Sequence, residues 1–439
     1  MKKLVRVSVA FLSTLMVVSC KGKTKEETGE FKPSLDVGTR CAIKVVGDYD
    51  NFEALEAEFD RFNEYYPNVT LSYRRFNPYA SNLATKLEQE DGKNINIFFS
   101  YASYMAGGET YTSIVSHMED LADPKLNIGI DSLRSGLVNK DKDGKVFLAP
   151  VFSRTYGTLV NNDLFEKEGI AVPSTWDELL NACALFKEKG YLSPMMGYSL
   201  GDSSCWMNTV AYPAFVAALA GNPEALEKAN NLDPSAGSYM SEGLNKVKQL
   251  VDTGAVNLVQ CDGNEEQGIK GITDNYKQVL LRFFKGDVPM MICTADTVSG
   301  GRKREKESAE FKENPFGYSF LPIPLTNEGG YFIDSPSVEF SVNKDCNNLD
   351  MTNEFMRFLF QKEELKNLAS LKGLINSTKD EPFGAMYASF AEVPTERTFS
   401  PESLGIKDPL AKQIRLASYK VGKGELTVEQ AIAHYGSLS

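Results

Sequence analysis

The chain has 439 residues, 42% hydrophobic and 24% charged, which is the composition of an ordinary globular protein and long enough for two domains. A formal net charge of −12 argues against nucleic acid or an anionic lipid surface as the partner of the molecule as a whole. Seven scattered cysteines without C-x-x-C spacing exclude a disulfide-dense scaffold and a zinc ribbon, and no second apolar stretch approaches membrane-spanning length, so no metal or cofactor is expected.

The first element is a leader. "MKK" places Lys2 and Lys3 ahead of "LVRVSVAFLSTLMVV". Its uninterrupted apolar part is about a dozen residues, the size of a signal-peptide core and short of the roughly 20 residues that span a bilayer. Val17-Val18-Ser19-Cys20 then sets a small residue before a thiol. This resembles a bacterial lipobox, although Val18 is bulkier than that pattern usually carries. The expectation is a signal peptide over 1–19 and a lipid-modified Cys20 as the mature N-terminus. Residues 21–36, "KGKTKEETGEFKPSLD", are polar and charged, and read with Cys20 as a flexible tether over 20–36.

Beyond the tether, strands and helices alternate. "CAIKVVG" (41–47) reads as a buried strand, and "FEALEAEFDRFNEYY" (52–66) as a helix ending before Pro67. A strand at 69–76, a helix at 79–90 and a strand at 95–99 continue a pattern that predicts a parallel sheet covered by helices. The Asp143-Gly144 pair in "KDKDGKVFLAP" (140–150) signals a hairpin turn. Helices are predicted at 176–189, 208–220, 240–254, 274–285, 350–360, 362–370, 409–420 and 427–435. Strands are predicted at 157–160, 289–293, 317–321 and 338–342. The basic run "GGRKREKES" (300–308) alternates in sign and reads as a solvated helix face.

Several blocks in this order carry a family resemblance. "DGKVFLAPVFSRTYGTLVNNDLFEKEGIAVPSTWDELLNACALFKEKG" (143–190), "LNKVKQLVDTGAV" (244–256), "FFKGDVPMMIC" (283–293), "GYSFLPIPL" (317–325) and "GELTVEQAI" (424–432) resemble the family 1 extracellular solute-binding proteins. These are sugar-capturing lipoproteins of bacterial ABC importers. The resemblance implies an α/β, two-lobed, periplasmic-binding-protein-like fold, with discontinuous lobes joined by crossing strands and a ligand cleft between them. Lobe one is expected over 37–152 with a return at 319–335, and lobe two over 155–317 and 338–439. It further implies a monomer that binds a sugar, partners membrane permease subunits and performs no catalysis.

Candidate ligand-binding residues follow from this frame. Trp206, in the polar loop "GDSSCWMN" (201–208), is expected to stack on a sugar ring, with Asp202 and Ser203 beside it. Trp176, in the first turn of a helix behind the cap candidate Ser174, is expected to be core. Asp48 and Tyr49 close the first strand and Tyr101 the third, where open α/β sheets place their ligands. Arg154 and Tyr156 lie at the first crossing, Asp296 follows the strand "MMICT", and Tyr331, Ser335 and Ser337 flank another crossing. Family members often carry a tryptophan near the position of Asp296. An acid there removes a stacking platform and adds an acceptor.

Two enzyme readings compete. "GYSLG" (197–201) matches G-x-S-x-G, but such a nucleophile needs a histidine placed by the fold, and only His117 and His434 exist. A glycosidase needs two carboxylates across a cleft, which no sequence pairing among so many acidic residues identifies.

Overall fold

The computed structural model describes residues 30–101, 104–105, 109–199, 201, 205–272 and 276–439. The leader, Cys20, Asp202 and Ser203 lie outside the described residues. The strands run in chain order β1 (Cys41–Gly47), β2 (Val69–Arg75), β3 (Ile97–Ser100), β4 (Ala149–Arg154), β5 (Tyr156–Asn161), β6 (Met195–Gly197), β7 (Gly263–Asn264), β8 (Ile269–Lys270), β9 (Met290–Thr294), β10 (Tyr318–Leu321), β11 (Phe332–Ile333), β12 (Ser335–Val342), β13 (Ile375–Asn376) and β14 (Thr398–Phe399).

Two sheets form the two lobes. The first has the order β13-β4-β12-β3-β1-β2 and the second β10-β5-β9-β6. β1 runs parallel to β2 and β3, while β12 is antiparallel to both β3 and β4. Ile43, Val45 and Val46 of β1 are fully buried, as a strand covered on both faces requires. The helix Glu53–Tyr65 buries Ala54, Leu55, Phe59 and Phe62 along one side. Phe62 meets Phe355 at 5.1 Å and Phe358 at 5.4 Å, so the helix Leu349–Leu359 covers the same sheet. In the second lobe the helix Trp206–Leu219 is buried almost all round and packs between Ser241–Asp252 and Asp408–Gly422.

Strand pairing allots the segments differently from the sequence reading. β10 pairs with β5 in the second sheet, so 318–321 does not return to lobe one. β12 and the helices Leu349–Leu359 and Lys362–Lys372, expected in lobe two, belong with the first sheet. Periodicity identifies a strand but not its hydrogen-bonded neighbour, and here the neighbours are distant in the chain. The Asp143-Gly144 turn does form, with the Gly144 N–H donating to Asp141 O at 3.0 Å, but no hairpin follows: β4 begins only at Ala149 and pairs with β12 and β13.

The tether reading also ends too late. Phe31 is buried against Tyr65 at 5.1 Å and Phe358 at 5.3 Å, with the Arg357 guanidinium over its ring at 4.4 Å. One aromatic ring supplies enough apolar area to dock a polar segment. Behind it lies a buried carboxylate. Glu354 accepts from Tyr66 Oη at 2.6 Å, from the Ser34 hydroxyl and N–H at 2.7 Å, and from Arg357 at 2.8 Å. Burial alone would raise this carboxyl, but the donors from Arg357, Ser34 and Tyr66 outweigh it and bring it down to about 2.

Both tryptophans are core. Trp176 is 6% exposed, donates Nε1–H to Gln249 Oε1 at 2.9 Å and lies under Lys246 at 4.4 Å. Its helix is capped by Thr175, whose Oγ1 accepts from Glu178 N–H, while Ser174 bonds the Glu178 carboxylate instead. Trp206 is 0% exposed, contrary to its expected place at the cleft surface. Its N–H donates to Tyr198 O at 2.9 Å, and its ring occupies the space over Gly197, where a Cβ would meet Trp206 Cβ at 2.2 Å. The polar neighbours that suggested a loop stop at the helix N-terminus, and Trp206 is already the first residue of a helix that is buried almost all round.

These placements make two predictions. Trp206→Ala and Trp176→Ala should each cost on the order of 3–5 kcal/mol in urea unfolding, through the cavity left behind. Little loss for Trp206→Ala would instead return its ring to the ligand surface. Glu354 contributes stability because its folded value lies below the ordinary 4.5. That contribution is present above about pH 4.5 and fades as pH falls toward 2. Glu354→Gln should therefore lose on the order of 3 kcal/mol at pH 7 and progressively less in acid. A gap that stays constant from pH 7 to pH 3 would contradict the assignment.

Candidate functional site

The lobes meet where β4 hands over to β5. Only Thr155, 1% exposed, separates the two sheets, and Ala295 N–H donates to its carbonyl at 2.9 Å. A second crossing runs from β10 to β12. It is pinned to lobe one by Asp334, which accepts a two-pronged pair from Arg134 at 2.7 and 3.0 Å.

Loop ends from both lobes converge beside the first crossing. Asp296, in the helical turn after β9, accepts from Ser337 Oγ of β12 at 2.7 Å and faces Arg154 Nη1 at 3.4 Å. This hydrogen bond joins a carboxylate of the second lobe to a hydroxyl of the first. Nearby, Tyr101 donates to Asp48 Oδ2 at 2.8 Å, and Asp48 Oδ1 is buried without a partner. Lys372 Nζ stands 3.9 Å from the centre of the Tyr49 ring. Burial, and then the charges of Asp296 and Asp48, push the Tyr49 phenol upward, while burial lowers Lys372.

Adjoining this cluster is a cavity of 760 Å³. Lobe one supplies Lys140, Lys145, Phe147 and Leu148 to its wall. The helix Trp206–Leu219 supplies Asn208 and Tyr212, and the C-terminal segment supplies Glu402, Lys407 and Arg415. Arg154, Tyr156 and Ser335 line it from the crossings. The Tyr156 and Tyr212 rings lie 5.4 Å apart, tilted by 50°. Asn208 Oδ1, Glu402 Oε2 and Arg415 Nε are buried and have no hydrogen-bond partner, a cost that a bound solute would remove. Burial pushes the Glu402 carboxyl up to about 7 despite the nearby Arg154 charge. The volume lies within the roughly 300–1,000 Å³ typical of small-molecule sites.

The sequence-derived candidates therefore separate. Asp48, Tyr49, Tyr101, Arg154, Asp296 and Ser337 come together at the crossing, and Arg154, Tyr156 and Ser335 reach the cavity. Tyr331 does neither: it packs on Phe399 at 5.9 Å. Both oxygens of Asp296 already face protein groups, so the acid found where family members often carry a tryptophan serves the lobe junction. Tyr212, Asn208, Glu402 and Arg415 were missed. In "NTVAYPAFVAAL" apolar residues occupy every face, so no periodicity marks the side that meets the cavity. Glu402 and Arg415 lie in a tail that reads only as helical packing. Ser199 of the G-x-S-x-G match pairs with Cys205 in an isolated bridge, and the helix starts only at Trp206. That is not the sharp strand-to-helix turn a nucleophile needs. His117 faces Asp345 at 2.9 Å.

Comparison with known proteins agrees with this architecture. MelE of Bacillus subtilis, a melibiose/raffinose/stachyose-binding protein, is 22% identical over 401 residues, covering 89% of this chain and 86% of MelE. The unliganded structure of RafE from Streptococcus pneumoniae superposes with a TM-score of 0.67 at 15% identity, covering 93% of this chain and 98% of RafE. A Bacillus licheniformis sugar transporter protein in complex with stachyose superposes with a TM-score of 0.61 at 16% identity, covering 91% and 100%. The sequence profile of the bacterial extracellular solute-binding proteins matches residues 57–395, and the chain belongs to that family.

Proposed function

We propose that this protein captures a carbohydrate in the cavity between its lobes and delivers it to an ABC-type permease, held outside the membrane by a lipid on Cys20. The observation that carries the reading is a cavity walled from both lobes, with two tyrosine rings and several unpartnered polar groups beside a crossing one residue long. Aromatic faces suit the C–H faces of a sugar ring, and directed polar groups fix its hydroxyls. MelE and the stachyose-bound Bacillus licheniformis protein support a saccharide as the solute. Among the described residues no helix is long and apolar enough to cross a membrane, so any anchorage rests on the leader.

The mechanism is capture without chemistry. Thr155 and the β10–β12 connection let the lobes swing. A solute that touches Phe147 on one side and Tyr212 on the other makes its full set of contacts only when the lobes close. Binding therefore shifts the population toward the closed form by its differential affinity for the two states. The closed pair then offers a permease one surface drawn from both lobes.

A thermal-shift panel of neutral and acidic mono- and oligosaccharides, beginning with raffinose and stachyose, tests the reading. At least one saccharide should raise the melting temperature and be recovered unchanged. Stabilisation by amino acids or peptides alone would overturn it, and release of cleaved sugar would indicate a glycosidase. For a saccharide that binds, small-angle scattering at saturation should report a smaller radius of gyration. An unchanged radius beside proven binding would rule out closure.

A further inference from the structure

The cavity runs against the charge of the chain. The molecule carries −12 overall, yet Lys140, Lys145, Arg154, Lys407 and Arg415 all line this one space. Three carboxylates share the wall, Asp141, Glu402 and Asp408, and each is committed or muted. Asp141 Oδ1 accepts from the backbone N–H groups of Asp143 and Lys145, both at 2.8 Å, and so is held in its own turn. Asp408 sits in the first turn of the helix Asp408–Gly422, where the positive end of the helix dipole faces it. Glu402 is buried beside Arg154 and carries only part of its charge at neutral pH. The cations are less occupied. Among the described residues only Arg154 of the five has a carboxylate partner, the half-exposed contact to Asp296 at 3.4 Å. Arg415 Nε is buried with no acceptor at all.

A buried guanidinium N–H without an acceptor is costly, and the economical remedy is an anion delivered into the cavity. A free inorganic ion would leave most of 760 Å³ and both tyrosine rings unused. The group that fits is a bulky polar solute with an acidic substituent. We propose that the carbohydrate bound here is anionic, bearing a carboxylate or a sulfate, and that Arg415 with Arg154 selects it over its neutral counterpart. This rests on the carbohydrate reading above. The planar forks of the two arginines match a carboxylate or sulfate in two-pronged fashion, while the three lysines raise the local concentration of anions in an otherwise acidic protein.

Titration calorimetry with digalacturonic acid, the neutral galactose disaccharide of the same linkage and a sulfated carrageenan disaccharide, which has no carboxylate, tests the proposal and separates carboxylate from sulfate. An acidic probe should bind at least roughly tenfold more tightly than the neutral one. Its affinity should fall as sodium chloride rises from about 0.05 M to about 0.5 M, as screening of charge demands. Arg415→Gln should weaken the acidic probe roughly ten- to a hundredfold and any neutral sugar by clearly less, so that the ratio of the two affinities falls. Lys145→Gln carries the same arm if Arg415→Gln does not fold. A neutral disaccharide bound as tightly as the acidic ones overturns the proposal but leaves the carbohydrate reading standing. Failure of every saccharide probe, with stabilisation by amino acids or peptides instead, overturns both.

Discussion

Much of this molecule turns on one carboxylate. Asp296 belongs to the second lobe, yet its two oxygens face Ser337 and Arg154, which belong to the first sheet and its exit. The chain itself crosses beside it through Thr155, and Tyr387 Oη reaches Gly373 O at 2.8 Å and Ala295 O at 3.4 Å, so this contact helps to hold one sheet against the other. Its parts differ in strength. The Ser337 bond is short and partly buried, whereas Arg154 is half exposed and its pair is weakened by solvent. Arg154 can therefore turn toward the cavity without freeing Asp296 from Ser337. The same side chain serves the junction and the cavity wall.

Charge is distributed by task. Acidic groups outnumber basic ones over the chain as a whole, while the cavity gathers lysines and arginines whose carboxylate neighbours are held in a turn, at a helix start or near neutrality. Elsewhere two buried carboxylates are fully answered. Glu354 has donors from Tyr66, Ser34 and Arg357, and Asp334 has Arg134. Against these saturated pairs, the unpartnered Arg415, Asn208 and Glu402 atoms stand together on one cavity wall, where a bound solute would complete them, while the oxygens of Asp48 and Glu58 that lack a hydrogen-bond partner do not line it.

Element types were readable along the chain because buried strands such as "CAIKVVG" and amphipathic helices such as Glu53–Tyr65 announce themselves by spacing. The family could be read from the order of loose blocks. Sheet membership could not: β10 and β12 both look like apolar strands, and only long-range pairing assigns them to different lobes. The candidate site was partly readable: Arg154, Tyr156 and Ser335, named from the crossings, line the cavity, and the strand-end candidates gather beside it at the lobe junction. Asp48, Tyr49, Tyr101 and Asp296 sit at strand ends, which periodicity locates. Trp206 misled because polar residues before it looked like a loop, when it opens a helix that is buried almost all round. Arg415 and Glu402 were silent because a C-terminal helix gives no sign of which body it leans against.

The docking of Phe31 and Ser34 against the Glu354 helix has a bearing on where the molecule works. A lipid on Cys20, as proposed, would leave only residues 21–30 between the anchor and the docked Phe31, and ten residues reach at most about 35 Å even at full stretch. That leash would be fastened to lobe one, which would stay close to the bilayer while lobe two kept the larger arc of travel. Search for a permease would then become lateral diffusion in a thin layer, with the collision geometry restricted before the two proteins touch.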